Sequence, residues 1–114
     1  MSVTCRWYIE PQSRKYADGL EAVELYLCRE YEGQVAKPAS GKRAEIVLIT
    51  ETGRYLGGLR TYPGTGNVYV CPDLKSDPGG EKVSLARVLK ESGVEPRQEI
   101  ELVMEGGVLK FGTT

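Results

Sequence analysis

The chain has 114 residues, with 15 basic and 16 acidic side chains. Hydrophobic residues make up 40% and charged residues 27%, which excludes wholesale disorder and allows a single domain over residues 1–114. No apolar run approaches the ~18 residues of a membrane span, the longest being Ile46 to Ile49, and no charged-then-apolar leader opens the chain, so neither a membrane segment nor a signal peptide is expected.

Three widely spaced cysteines, Cys5, Cys28 and Cys71, fit free thiols in a reducing compartment, and a cytoplasmic location follows as the expectation. Histidine is absent. That removes the usual base of serine and cysteine nucleophiles and the commonest transition-metal ligand. No Cys-x-x-Cys spacing suggests zinc. The expectation is a protein that is not an enzyme and has no metal and no cofactor.

Along the chain, Val3, Cys5, Trp7 and Ile9 alternate with polar neighbours, the period of a half-buried strand that Pro11 should end. Tyr16, Leu20, Val23, Leu27 and Tyr31 then recur at helical spacing, with Asp18 as N-cap, Glu21 as its capping-box partner and Gly33 as the stop, so residues 19–32 are expected to be a helix. The alternative is a hairpin turn at Asp18-Gly19 with Val23, Leu25 and Leu27 alternating as a strand.

Residues 34–43 form an expected loop. Glu45 to Thr50 is a strand with a continuous Ile-Val-Leu-Ile centre. Glu51-Thr52-Gly53 is a three-residue hairpin loop returning the chain over Arg54 to Tyr62, with Ile49 opposite Tyr55 and Leu48 opposite Leu56. Gly57 and Gly58 mark a bulge or a close backbone approach. After a turn over Pro63 to Gly66 come a strand, Asn67 to Cys71, and an exposed loop, Pro72 to Gly80.

The last segment is the most fully specified. Ser84 is an N-cap for a helix with an apolar face of Leu85, Val88 and Leu89, and Val83 can staple to Val88. Gly93 supplies a left-handed C-cap, with Val94 packing back on Leu89, and Pro96 blocks continuation. A hairpin turning at Gly106-Gly107 places Met104 opposite Leu109 and Leu102 opposite Phe111. Glu99, Glu101, Glu105 and Lys110 fall on its wet face. The fold class expected is α+β, a small curved antiparallel sheet or partly open barrel with one or two helices.

Charge is unevenly distributed. Residues 33–75 carry six basic side chains (Lys37, Lys42, Arg43, Arg54, Arg60, Lys75) against three acidic ones (Glu45, Glu51, Asp73), together with Tyr55, Tyr62, Tyr69 and seven glycines. Arginines with aromatic and glycine neighbours suit phosphate contact and base stacking. Lys42, Arg43, Arg54, Arg60 and Tyr62 are therefore the candidate nucleic-acid-binding residues. The Pro63-Gly64-Thr65-Gly66-Asn67 loop lacks the Lys-Ser/Thr of a phosphate-binding loop and opens no helix.

Residues 66–111 resemble the swapped-hairpin DNA-binding domains of the AbrB/SpoVT/MazE type. The features shared are Gly66-Asn67-Val68-Tyr69-Val70-Cys71-Pro72, the helix Leu85 to Lys90, Gly93-Val94, Glu95-Pro96, and the hairpin about Glu105-Gly106-Gly107. Pro96-Arg97-Gln98 departs from the family's Pro-Gly-Asp, Asn67 stands where the family has a basic residue, and Asp73 to Lys82 is an insertion between strand and helix. The same unit resembles plant-type pseudobarrel DNA-binding domains. Both resemblances imply a small β-barrel that contacts DNA, and the first makes a homodimer an expectation. The leading expectation is a non-catalytic module binding nucleic acid, DNA above all, through the basic central hairpin. The alternative is a protein–protein interaction or inhibitor module of the kind carried by mobile elements.

Overall fold

The computed structural model describes residues 2–35, 38–39 and 41–111. Nine strands and one short α-helix follow in the order β1 (Ser2–Lys15), β2 (Glu21–Leu27), β3 (Arg43–Thr50), β4 (Gly53–Thr61), β5 (Val68–Val70), β6 (Asp73–Ser76), β7 (Lys82–Ser84), α1 (Leu85–Glu91), β8 (Glu99–Glu105) and β9 (Val108–Phe111), with a 3₁₀ segment over Arg29–Gln34. Seven strands close into a barrel in the order β1–β2–β5–β4–β3–β9–β8 and back to β1. Every neighbouring pair in the ring is antiparallel except β3–β9, which is parallel. The β6–β7 hairpin extends from β4 outside the ring.

This corrects the expected α+β sheet with one or two helices. The protein is mostly β, a closed barrel with one short helix. The cause lies in residues 19–32. A spacing of four belongs both to a helical face and to one side of a strand, so Val23 and Leu27 could not separate the two. Leu25 does: it is off the helical face yet wholly buried between them. The turn Tyr16–Leu20 joins β1 to β2 with Gly19 at φ 86°, and Asp18 accepts a hydrogen bond from the Leu20 N–H at 3.0 Å. Asp18 thus caps a turn rather than a helix. Glu21 pairs with Lys15, and Trp7 with Leu27, across the hairpin.

Pro11 does not end β1, which runs on to Lys15 with an irregularity after Pro11 and Ser13 at φ 60°. The Ile9 N–H donates to Gln98 O. By the two-residue period, Pro11 would direct its missing N–H to the same side, just past the end of β8, where no strand needs it. The β3–β4 hairpin is tighter than expected by one residue. Leu48 lies opposite Tyr55, and Thr50 opposite Gly53, across Glu51-Thr52. This register points both Leu48 and Tyr55 inward. The expected loop over residues 72–80 instead contains β6 and the start of the turn into β7. The expected loop 34–43 lies partly outside the described residues, as does Lys37.

Side chains alternate around the whole ring. Cys5, Trp7 and Ile9 of β1, Val23, Leu25 and Leu27 of β2, Ile46 and Leu48 of β3, Tyr55 and Leu59 of β4, Val68 and Val70 of β5, Leu102 of β8 and Leu109 of β9 fill the interior. The unit over residues 83–111 forms as its sequence specifies. Ser84 Oγ accepts the Arg87 N–H at 3.1 Å. Gly93 stands at φ 80°, Gly93 N–H donates to Lys90 O, and Val94 N–H donates to Leu89 O, which is the Schellman pair. Leu85, Ala86, Val88 and Leu89 are buried, and α1 packs against β2. Met104 faces Leu109 and Leu102 faces Phe111 as expected.

Leu102, wholly buried and opposite Cys5 on its other side, measures how much the barrel depends on this face. Leu102→Ala should lower stability by about 2–5 kcal/mol in urea denaturation, and Leu102→Glu should leave no cooperative unfolding transition. Glu105→Ala, on the exposed side of the same strand, should change stability by less than about 0.5 kcal/mol.

Candidate nucleic-acid interface

The same alternation that fills the interior lines up residues outside. Tyr8 lies opposite Tyr26, Tyr26 opposite Tyr69, Tyr69 opposite Arg60, and Arg60 opposite Arg43. Four consecutive pairings therefore carry one outward row across β1, β2, β5, β4 and β3. Tyr26 and Tyr69 stack with ring centroids 5.3 Å apart and planes 23° apart. Tyr62, just past the end of β4 and 46% exposed, meets Tyr69 from the other direction at 5.7 Å and 53°. The result is a series of three rings, Tyr26–Tyr69–Tyr62, beside two arginines.

Gly58 explains where Arg43 goes. It faces outward in the next row, two residues from Arg60 and opposite Glu45, and a Cβ placed there would collide with the Arg43 guanidinium. The bare backbone lets Arg43 lie across β4. Cys71, whose N–H donates to Gly58 O, sits alongside. Burial pushes the Cys71 thiol up, and the opposing pull of Arg60 and Arg43 is smaller. It is a half-buried neutral thiol rather than a nucleophile.

Among the described residues, neither Arg43 nor Arg60 forms an ion pair with a carboxylate. Other arginines do. Arg6 is held by Glu30 at 2.6 Å and Glu99 at 3.7 Å, and Arg87 by Asp18 at 2.8 Å.

Of the residues expected to form one surface, Arg43, Arg60 and Tyr62 come together, with Lys42 exposed in the loop just before Arg43. Arg54 does not join them. It lies six residues from Arg60 along β4, roughly 20 Å away, and is paired with Asp77 at 2.8 Å. Tyr55 points into the core. Tyr26 was hidden because its segment resembled a helix. Its outward position follows only once Leu25 and Leu27 are recognised as inward.

Carboxylates bound the surface. Glu24, which lies two residues from Tyr26, accepts the Tyr26 hydroxyl at 3.0 Å and faces Glu10 across the strands. Burial raises the Glu24 pKa above its ordinary value of 4.5, against the lowering effect of that hydrogen bond. Burial and the same hydrogen bond push the Tyr26 hydroxyl well up, so it stays protonated. On β3, Glu45 lies opposite Gly58.

A groove of about 1060 Å³ adjoins this surface at Arg43 and Glu45 and runs past Tyr16, Leu56, Lys75, Lys82 and Arg87, with Asp18 and Asp73 interspersed. Among the described residues no cluster of three or more metal-ligating side chains occurs, and no helix is long and apolar enough to cross a membrane.

The fold and this surface define a small closed β-barrel with an aromatic and arginine outer face. No family model, curated protein or solved structure matches the chain.

The raised Glu24 pKa has a stability consequence with a definite sign. Between its unfolded and folded pKa values the native state holds more protons, so this group's contribution falls as pH rises through that window. Glu24→Gln keeps an acceptor for Tyr26 and removes the charge. Urea denaturation should show the variant gaining stability over the parent at pH 7 but not at pH 4.

Proposed function

We propose that this protein is a non-catalytic module that binds nucleic acid on the outer face of β2, β5, β4 and β3. The observation that carries the proposal is the cross-strand row in which Tyr26 and Tyr69 lead directly to Arg60 and Arg43. Half-buried Tyr26 and Tyr69, exposed Tyr62, and two arginines that pair with no carboxylate among the described residues offer the two contacts nucleic acids use, stacking and phosphate pairing. The site is small. Two arginines flanked by Glu24 and Glu45 give modest affinity and a shallow salt dependence.

A second function, as a protein-interaction module, is favoured by a different observation. Val108, Val47 and Leu56 lie side by side on the outer face of β9, β3 and β4, and Leu56 is 43% exposed. Light scattering across a concentration series would register self-association through this strip, and Leu56→Glu should abolish it.

Fluorescence anisotropy with labelled oligonucleotides at low salt tests the first proposal. Arg60→Ala and Arg43→Ala should each weaken binding several-fold, and the double variant should bring it to background. Arg54→Ala, remote and already paired with Asp77, should bind as the parent does. Equal losses from Arg54→Ala and Arg60→Ala would disprove a localised site.

A further inference from the structure

We infer that the nucleic acid taken by this face is single-stranded DNA or RNA. A base stacks on Tyr62 as the next member of the Tyr26–Tyr69–Tyr62 series, and neighbouring phosphates lie on Arg60 and Arg43. The inference rests on the nucleic-acid binding proposed above and adds the class of ligand and the way it is held.

Three features lead to it. The first is which ring remains open. Tyr69 is flanked by Tyr26 on one side and Tyr62 on the other. Tyr62 ends the series and is 46% exposed, so a further planar group is accepted there. A base in a duplex has its faces covered by its neighbours, whereas an unpaired base has a free face to stack.

The second is the shape of the wall. Proteins reach base edges in duplex DNA by placing a helix or a two-stranded ribbon in the major groove. The face here is neither. β2, β5 and β4 are each paired on both sides within the ring, and α1 packs over β2 through its buried side. A broad convex wall meets a single strand lying along it more readily than a groove 12 Å or so wide.

The third is spacing. Arg60 and Tyr62 are two residues apart, on the same side of the chain and ~7 Å from each other, and Arg43 is one strand spacing, ~5 Å, from Arg60. A base on Tyr62 therefore has two cations in line beside it. Glu24 and Glu45 end the favourable track, so contact covers one stacked base and about two phosphates. Stacking on an aromatic ring accepts any base, so sequence preference is weak.

The test compares labelled single-stranded DNA and RNA of ~12 nucleotides with the corresponding duplexes, each over a salt series. Single strands should bind at least tenfold more tightly than duplexes, with log K falling against log salt at a slope of about −1.4, as two neutralised phosphates on a single strand require. The two single-stranded arms decide between DNA and RNA as the preferred source. Tyr62→Ala should weaken single-strand binding about 5- to 150-fold, the range for loss of one base–aromatic stack, while Tyr62→Phe should retain it. Thermal melting should be unchanged in both, because Tyr62 is exposed.

Duplex binding as tight as single-strand binding would overturn the inference and leave the nucleic-acid proposal standing. So would a Tyr62→Ala variant that binds normally while Arg60→Ala does not. Absence of binding to all four probes at low salt would refute both.

Discussion

Three residues of parallel pairing hold the barrel shut. Val47, Leu48 and Ile49 lie beside Val108, Leu109 and Lys110, and the Val47 N–H donates to Gly107 O at 2.8 Å. A closed ring of strands can be antiparallel throughout only if their number is even. With seven, at least one junction must be parallel, and here it is this seam. Parallel neighbours need a long connection between them, and the whole of β4 to β8 supplies it. The seam also sets the core, since it places Leu48 and Leu109 side by side in the interior. Without it β3 and β9 would each present an unpaired edge. With it, the exposed edge among the described strands is the three-residue β7.

What could be read in the sequence follows the range of the interactions that determine it. The Ser84 cap, the Gly93 Schellman turn and the β8–β9 register are set by residues within a few positions of one another, and each formed as its residue types require. The β2 segment reads two ways because a spacing of four suits two periodicities, and the deciding burial of Leu25 is provided by strands far away in sequence. The β3–β4 register slipped by one because Glu51-Thr52-Gly53 is compatible with two turn lengths. Only the inward pairing of Leu48 and Tyr55 chooses between them. A barrel could be expected by resemblance, but not the seam that closes it: nothing in Val47 to Ile49 or Val108 to Lys110 says that they will meet in parallel.

The outer surface was legible to the same extent. Arg43, Arg60 and Tyr62 could be named from composition, because charge excess and aromatic content are properties of a segment. Arg54 belongs to the same segment and was named with them, yet its distance along β4 and its pairing with Asp77 set it apart. Tyr26 and Tyr69 enter through β2 and β5, whose adjacency depends on a strand order that skips from β2 to β5. The aromatic row is thus a by-product of the registers that pack the core, and its residues sit opposite one another because their inward neighbours do.

The two adjacent glycines of β4 link these two sides of the wall. A Cβ on Gly57 would fall 2.6 Å from Leu74 Cδ2 in the core, and a Cβ on Gly58 would fall on the Arg43 guanidinium outside. For the length of one peptide unit, the partition between the oily interior and the charged exterior is bare main chain, with Leu74 pressed against one side and Arg43 against the other. Any larger residue is thus refused at both positions for opposite reasons, at Gly57 by the core and at Gly58 by the surface.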